Sequence, residues 1–166
     1  MTEPHELRCY EYVNRPYAVV RDALRADPQG IFERATKGAA GRAHALAASL
    51  KVELGGIEIG TDVTIRITGV EERLPGGEVR TPVTRLKVAW QAVRAPALFP
   101  SMEAEVSIYP LSSEETQLDL HGLYHPPLGI LGSAVDALVM HRVADASVHR
   151  FLAEVASLLR TELPEG

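Results

Sequence analysis

The sequence predicts a single α+β domain in which a curved antiparallel sheet wraps around a long C-terminal helix, with two short helices after the first strand. Three observations predict it. Between Ala45 and Tyr124 apolar side chains recur every second residue in segments joined by short connections, which is the signature of an antiparallel meander wet on one face. After Pro126-Pro127, which stop the preceding strand, the period changes: Ala134, Leu138, His141, Ala144, Val148, Leu152, Val155 and Leu159 follow three- and four-residue steps along one helical face. Two proline-marked helix starts, at Asn14 to Pro16 and at Asp27-Pro28, interrupt the strands near the N-terminus.

Taken in order, Glu6 to Val13 is rich in β-formers and reads as the first strand. Its alternation is imperfect, because Glu11 shares a side with Leu7, Cys9 and Val13. Asn14 is placed to cap a helix whose apolar stripe is Val19, Val20, Ala23 and Leu24. Asp27-Pro28 opens a second short helix through Ile31, Phe32 and Ala35, ending in the small-residue run at Lys37 to Arg42. Leu46, Ala48, Leu50, Val52 and Leu54 then share one strand face, and Gly55-Gly56 forms a two-residue hairpin turn. Val63, Ile65 and Ile67 alternate after a bulge predicted at Gly60, and Glu71 to Val79 reads as a polar connection. Leu86, Val88, Trp90 and Ala92 face inward on the next strand; Met102, Ala104, Val106 and Ile108 on the one after; Leu118, Leu120, Gly122 and Tyr124 on the last. The final helix extends from Leu128 to Leu163, with Arg142, His149, Arg150, Glu154, Ser157 and Arg160 on its solvent side. No interdomain linker divides the 166 residues, a length that buries roughly 70% of its extended surface.

Composition narrows the function. A net charge of -5 supplies no basic field for nucleic acid, and no apolar run reaches the length of a membrane span, so neither nucleic acid nor integral membrane association is expected. The polar, acidic start of the chain lacks the apolar core of a signal peptide and points to the cytoplasm. A single cysteine excludes an internal disulfide, and in a strand Cys9 reads as a small buried hydrophobe. His121-x-x-x-His125 has a metal-like spacing, but on a strand the two rings need not converge and no third ligand is evident; no metal and no cofactor is expected. Asp119 and His121 have no nucleophile signature beside them, and Asp136 suits the positive end of a helix without needing a catalytic role.

The segment Asn14-Arg15-Pro16-Tyr17-Ala18-Val19-Val20, together with Gly122-x-Tyr124-x-Pro126-Pro127-Leu128-Gly129 and Asp136, resembles the helix-grip fold of the START-like (SRPBCC) superfamily across nearly the whole chain. That superfamily includes pollen allergens, lipid-transfer domains and polyketide cyclase-like proteins. The resemblance implies an apolar small molecule, lipid or polyketide-like, bound between sheet and helix. It transfers no catalytic residue.

Polar groups on the inward face are the informative ones for such a site. The candidate lining is Trp90, Tyr124, Leu138 and His141, with Leu98 and Phe99 of the loop Ala95 to Pro100 as one lip facing Tyr124 to Gly132, and His44 in line with Leu46 as a further inward polar group. Each has a plainer reading beside it. Leu98 and Phe99 would cap the core under their loop, Trp90 would be core with its indole N–H on a neighbouring carbonyl, and His141 would pair with Asp145 one helical turn on. Two functions follow: a non-catalytic carrier or sensor of an apolar metabolite, and a cyclase- or aromatase-type enzyme in which Tyr124, His141 and Trp90 orient the substrate and move a proton. A domain with a filled core acting through protein contacts, including a homodimer, is the remaining alternative.

Overall fold

The computed structural model describes residues 4–39, 63–92, 101–125 and 134–164. Residues Ala45 to Gly60, the loop Ala95 to Pro100 with Leu98 and Phe99, His44 and the stretch 126–133 lie outside the described residues, as does the side chain of Leu138.

Five strands form one antiparallel sheet: β1 (His5–Val13), β2 (Val63–Arg73), β3 (Val83–Ala92), β4 (Ser101–Pro110) and β5 (Thr116–His125), in the spatial order β1-β5-β4-β3-β2. Helix α1 (Tyr17–Ala26) and a second helix, α2, described over 28–39, follow β1, and α3 (Ala134–Glu162) ends the fold. Alternation places side chains as the sequence predicts. Leu7, Cys9, Leu86, Val88, Val106, Ile108, Leu118 and Leu120 are buried on one face, and Val148, Leu152, Val155 and Leu159 of α3 are buried with them in one core. This is the helix-grip arrangement.

The aromatic centre of that core is Phe151, which the three- and four-step stripe did not include. Its ring meets Phe32 of α2 edge-on at 5.5 Å and Trp90 of β3 edge-on at 4.9 Å. Phe151 and Leu152 are both buried, because a helix held in the concave side of a sheet presents an apolar stripe wider than one row. Glu11 likewise finds its reason: its carboxylate lies 3.6 Å from the Arg160 guanidinium of α3, so the charge breaking the β1 alternation has a partner.

Local chemistry corrects three expectations. Asn14 does not cap α1. The N-cap is Pro16, without a side-chain hydrogen bond, and its carbonyl accepts from the amides of Val19 and Val20. Asp27 does cap α2, through a 2.9 Å bond accepted from the Gly30 amide. The strand through Ile65 continues to Arg73 rather than ending before Glu71, and its register shifts between Ile67 and Gly69. The shift leaves Val70 47% exposed, and the reversal itself is confined to the Gly76/Val79 bridge, with Gly77 at φ +59°. His141 does not pair with Asp145, which lies instead 3.8 Å from His149.

Helix α2 also closes the outer edge of β2. The Gln29 side-chain amide donates to the Ile65 carbonyl at 2.7 Å and accepts from the Ile67 amide at 3.2 Å, as a neighbouring strand would. Replacing Gln29 with Ala should cost about 1 kcal/mol and speed hydrogen exchange at the Ile67 amide specifically, a change that amide-resolved exchange would detect.

Candidate functional site

Cross-strand register assembles the site. His5 of β1 lies opposite Tyr124 of β5, Tyr124 opposite Met102 of β4, Met102 opposite Trp90 of β3, and Trp90 opposite Ile65 of β2. Directly opposed residues in an antiparallel sheet share a face. These five side chains therefore form one transverse row on the concave side. The rows beyond it are aliphatic. The next holds Leu7, Gly122, Ala104, Val88 and Ile67, and the one after holds Cys9, Leu120, Val106 and Leu86. At the far end of the same face the buried Thr84 and Thr116 hydroxyls are hydrogen-bonded, to Tyr17 and to the Arg15 carbonyl, so what distinguishes the end where β1 begins and β5 finishes is the state of its polar atoms.

In the second row the smallest side chains sit together. A Cβ at Gly122 would lie 3.0 Å from the Ala104 Cβ and 3.2 Å from the Glu103 carbonyl oxygen, so a larger residue here would push β4 and β5 apart by a few tenths of an ångström. No bulk is presented under Tyr124 from this pair.

Tyr124 is 4% exposed, and its hydroxyl has no hydrogen-bond partner among the described residues. Burial alone pushes the phenol up to about 12, with no neighbouring charge contributing. Helix α3 brings His141 to the same end: its ring lies 4.8 Å from the ring of His5, tilted at 49°, and its Nδ1 is buried without a hydrogen-bond partner among the described residues. Tyr124 and His141 thus both neighbour His5, one by register and one by ring contact. The sequence singled out Tyr124 and His141. It missed His5, whose only signal was its odd position, in step with Leu7 and Cys9.

Trp90 is in the row but is satisfied. It is 7% exposed, its indole N–H donates to Thr36 Oγ1 of α2 at 3.3 Å, and its ring packs on Phe151. Here it serves as core, through a side-chain hydroxyl rather than the carbonyl anticipated. Tyr17 shows what a paired buried phenol looks like in this fold: its hydroxyl is 2.7 Å from Thr84 Oγ1 in the buried interior. Beside it, the Tyr124 hydroxyl is the exception.

Other reactive groups are poorly placed for chemistry. Burial, with smaller contributions from Asp145, Asp119 and Glu11, pushes the Cys9 thiol up to about 12, far from a reactive thiolate. His121 accompanies Glu6 at 2.8 Å on the exposed outer face, away from the concave row. Among the described residues there is no group of three or more His, Cys, Asp or Glu able to hold a metal, and no helix long and apolar enough to cross a membrane.

No family model matches the chain, and no curated protein does. Among solved structures, a conserved protein from Geobacillus kaustophilus aligns over 96% of this chain and 98% of its own, at 13% identity and a TM-score of 0.49. The Zhui aromatase/cyclase from a Streptomyces species aligns over 96% and 95%, at 14% identity and 0.46. Norcoclaurine synthase from Thalictrum flavum aligns over 98% and 90%, at 9% identity and 0.43. These likenesses are of architecture. On its own sheet order and the seat of α3, the chain has the helix-grip fold.

Proposed function

We propose that the protein binds a small, largely apolar molecule between the concave face of the sheet and the first half of α3, at the row of His5, Tyr124, Met102 and Trp90. The observation that carries this reading is the pair of buried polar atoms without a partner among the described residues, Tyr124 Oη and His141 Nδ1, at one end of a face whose other buried hydroxyls, those of Thr84 and Thr116, are hydrogen-bonded. A buried hydroxyl without a partner costs about 1–3 kcal/mol, a cost that folding alone gives no reason to carry and that a ligand offsets when it binds. Leu98, Phe99 and Leu138 are assigned to the same lining as part of this proposal.

Trp90 is the single tryptophan of the chain and sits in this row, so its emission reports on occupancy directly. Titration with the uncharged apolar probe N-phenyl-naphthylamine should give a saturable change in Trp90 emission at one probe per chain. Loss of saturation, or binding that leaves Trp90 emission untouched, would count against the reading.

A second reading is favoured by the chemistry of the same two groups, since a phenol and an imidazole can orient a polyketide-like substrate and shuttle a proton. It predicts a new aromatic product from a poly-β-ketone thioester, whereas a carrier returns the compound unchanged.

A further inference from the structure

Resting on the binding reading above, we infer that the ligand is an uncharged molecule bearing a hydroxyl group, which accepts a hydrogen bond from the Tyr124 hydroxyl and donates one to His141 Nδ1. The two atoms define the requirement. A tyrosine hydroxyl can donate or accept, and a neutral imidazole offers one donor and one acceptor nitrogen; a ligand hydroxyl, which both accepts and donates, satisfies the two at once. A hydrocarbon would leave both atoms unpartnered in the complex.

The charges among the described residues argue against a carboxylate. The row Ile65, Trp90, Met102, Tyr124 and His5 contains no lysine or arginine. The arginines of α3, Arg142, Arg150 and Arg160, are exposed, and Arg160 is engaged with Tyr12 and Glu11 at the other end of the helix. The phenol of Tyr124 is raised by burial with no cation acting to lower it. An anionic head group buried beside Tyr124 would lose its hydration without a permanent counter-charge among the described residues. The same site therefore distinguishes a phenol or alcohol from a fatty acid of equal apolar size.

The test is a matched series on the intact protein near neutral pH: naphthalene, β-naphthol and β-naphthoate, each titrated against Trp90 emission and by calorimetry. β-Naphthol should bind roughly tenfold or more tightly than naphthalene, the effect of one or two hydrogen bonds to otherwise unpaired groups, and more tightly than β-naphthoate. Tyr124→Phe should shrink the ratio of β-naphthol to naphthalene affinity toward one. His149→Gln, on the solvent side of α3, should leave that ratio as in the parent chain. Equal affinities for naphthalene and β-naphthol, or tighter binding of β-naphthoate, would overturn the hydroxyl inference while leaving the apolar site standing. Binding by no member of the series would remove the site itself, and the inference with it.

Discussion

Replacing Arg15 with Met should lower the stability of this protein by about 3 kcal/mol and its melting temperature by roughly 6–12 °C, the largest effect expected of any single charged side chain described. Arg15 is 5% exposed, yet it sits where the chain leaves β1 for α1. Its Nε donates to the Leu163 carbonyl at 3.1 Å, Nη2 to the Arg160 carbonyl at 2.9 Å, and Nη1 to the Asn14 carbonyl at 2.8 Å. Two of these acceptors close the C-terminal end of α3, where carbonyls lack intrahelical donors and the helix dipole favours a cation. The anchoring is reciprocal, because the Arg160 guanidinium donates back to the Tyr12 carbonyl. The Arg15 carbonyl in turn accepts from Thr116 Oγ1 at 2.8 Å, which ties the junction to β5. Methionine would fill the volume but leave three carbonyls without these donors, and Arg15→Lys should recover less than half of the loss, since an ammonium cannot reproduce the planar fork. Thermal melts of the three proteins check this. A shift of less than about 3 °C for the methionine variant would show that the helix end is satisfied elsewhere.

Tyr124→Phe, by contrast, should stabilise the ligand-free protein by about 1–2 kcal/mol, because it deletes a buried hydroxyl without a described partner and keeps the ring. It should also change the alkaline limb of the stability curve. The native phenol is raised from 10.0 to about 12, so the folded state holds its proton where the unfolded chain has released it. This stability is fully present below about pH 10 and is lost as pH rises toward 12, amounting to about 2–3 kcal/mol by linkage. Cys9, raised from 9.0 to about 12, adds a loss of the same sign that begins at lower pH. In Tyr124→Phe the Cys9 part should remain, together with the losses of the same sign from Tyr109, raised by burial, and Lys87, raised by its hydrogen bond to Glu71. Urea unfolding between pH 8 and pH 12 measures both effects; an unchanged alkaline slope, or a variant less stable than the parent at neutral pH, would mean that the hydroxyl is already satisfied.

The two variants separate what the sequence made legible from what it did not. Strand faces were readable because burial imposes a period of two, and Leu86, Val88, Trp90, Val106, Ile108, Leu118, Leu120 and Tyr124 all fall on the predicted side. Tyr124 and His141 were readable as polar residues out of place on apolar faces. Arg15 was not, because its helix-capping partners lie 145 and 148 residues away and an arginine beside Asn14 looks like an ordinary turn residue. Gln29 closing the edge of β2 is hidden for the same reason: its partners belong to a strand more than thirty residues on. His5 joined the site only through the pairing of β1 with β5, a long-range register that alternation within either strand does not specify. The register shift between Ile67 and Gly69 was not legible, because Val63, Ile65 and Ile67 alternate without a break before it; the bulge expected at Gly60 lies outside the described residues.

Where the ligand lies is the central claim, and the tyrosine side chains can report it directly. The chain has five tyrosines. Tyr10 and Tyr12 are exposed on the outer face of β1, 60% and 47% accessible, Tyr17 is hydrogen-bonded in the interior, and Tyr124 stands in the concave row. An aromatic carbon–proton spectrum of tyrosine-labelled protein, recorded with and without β-naphthol, should show the Tyr124 resonances moving in proportion to occupancy while those of Tyr10 and Tyr12 stay in place. Saturable binding that shifts Tyr10 or Tyr12 and leaves Tyr124 still would contradict the assignment of the site to the grip between sheet and helix.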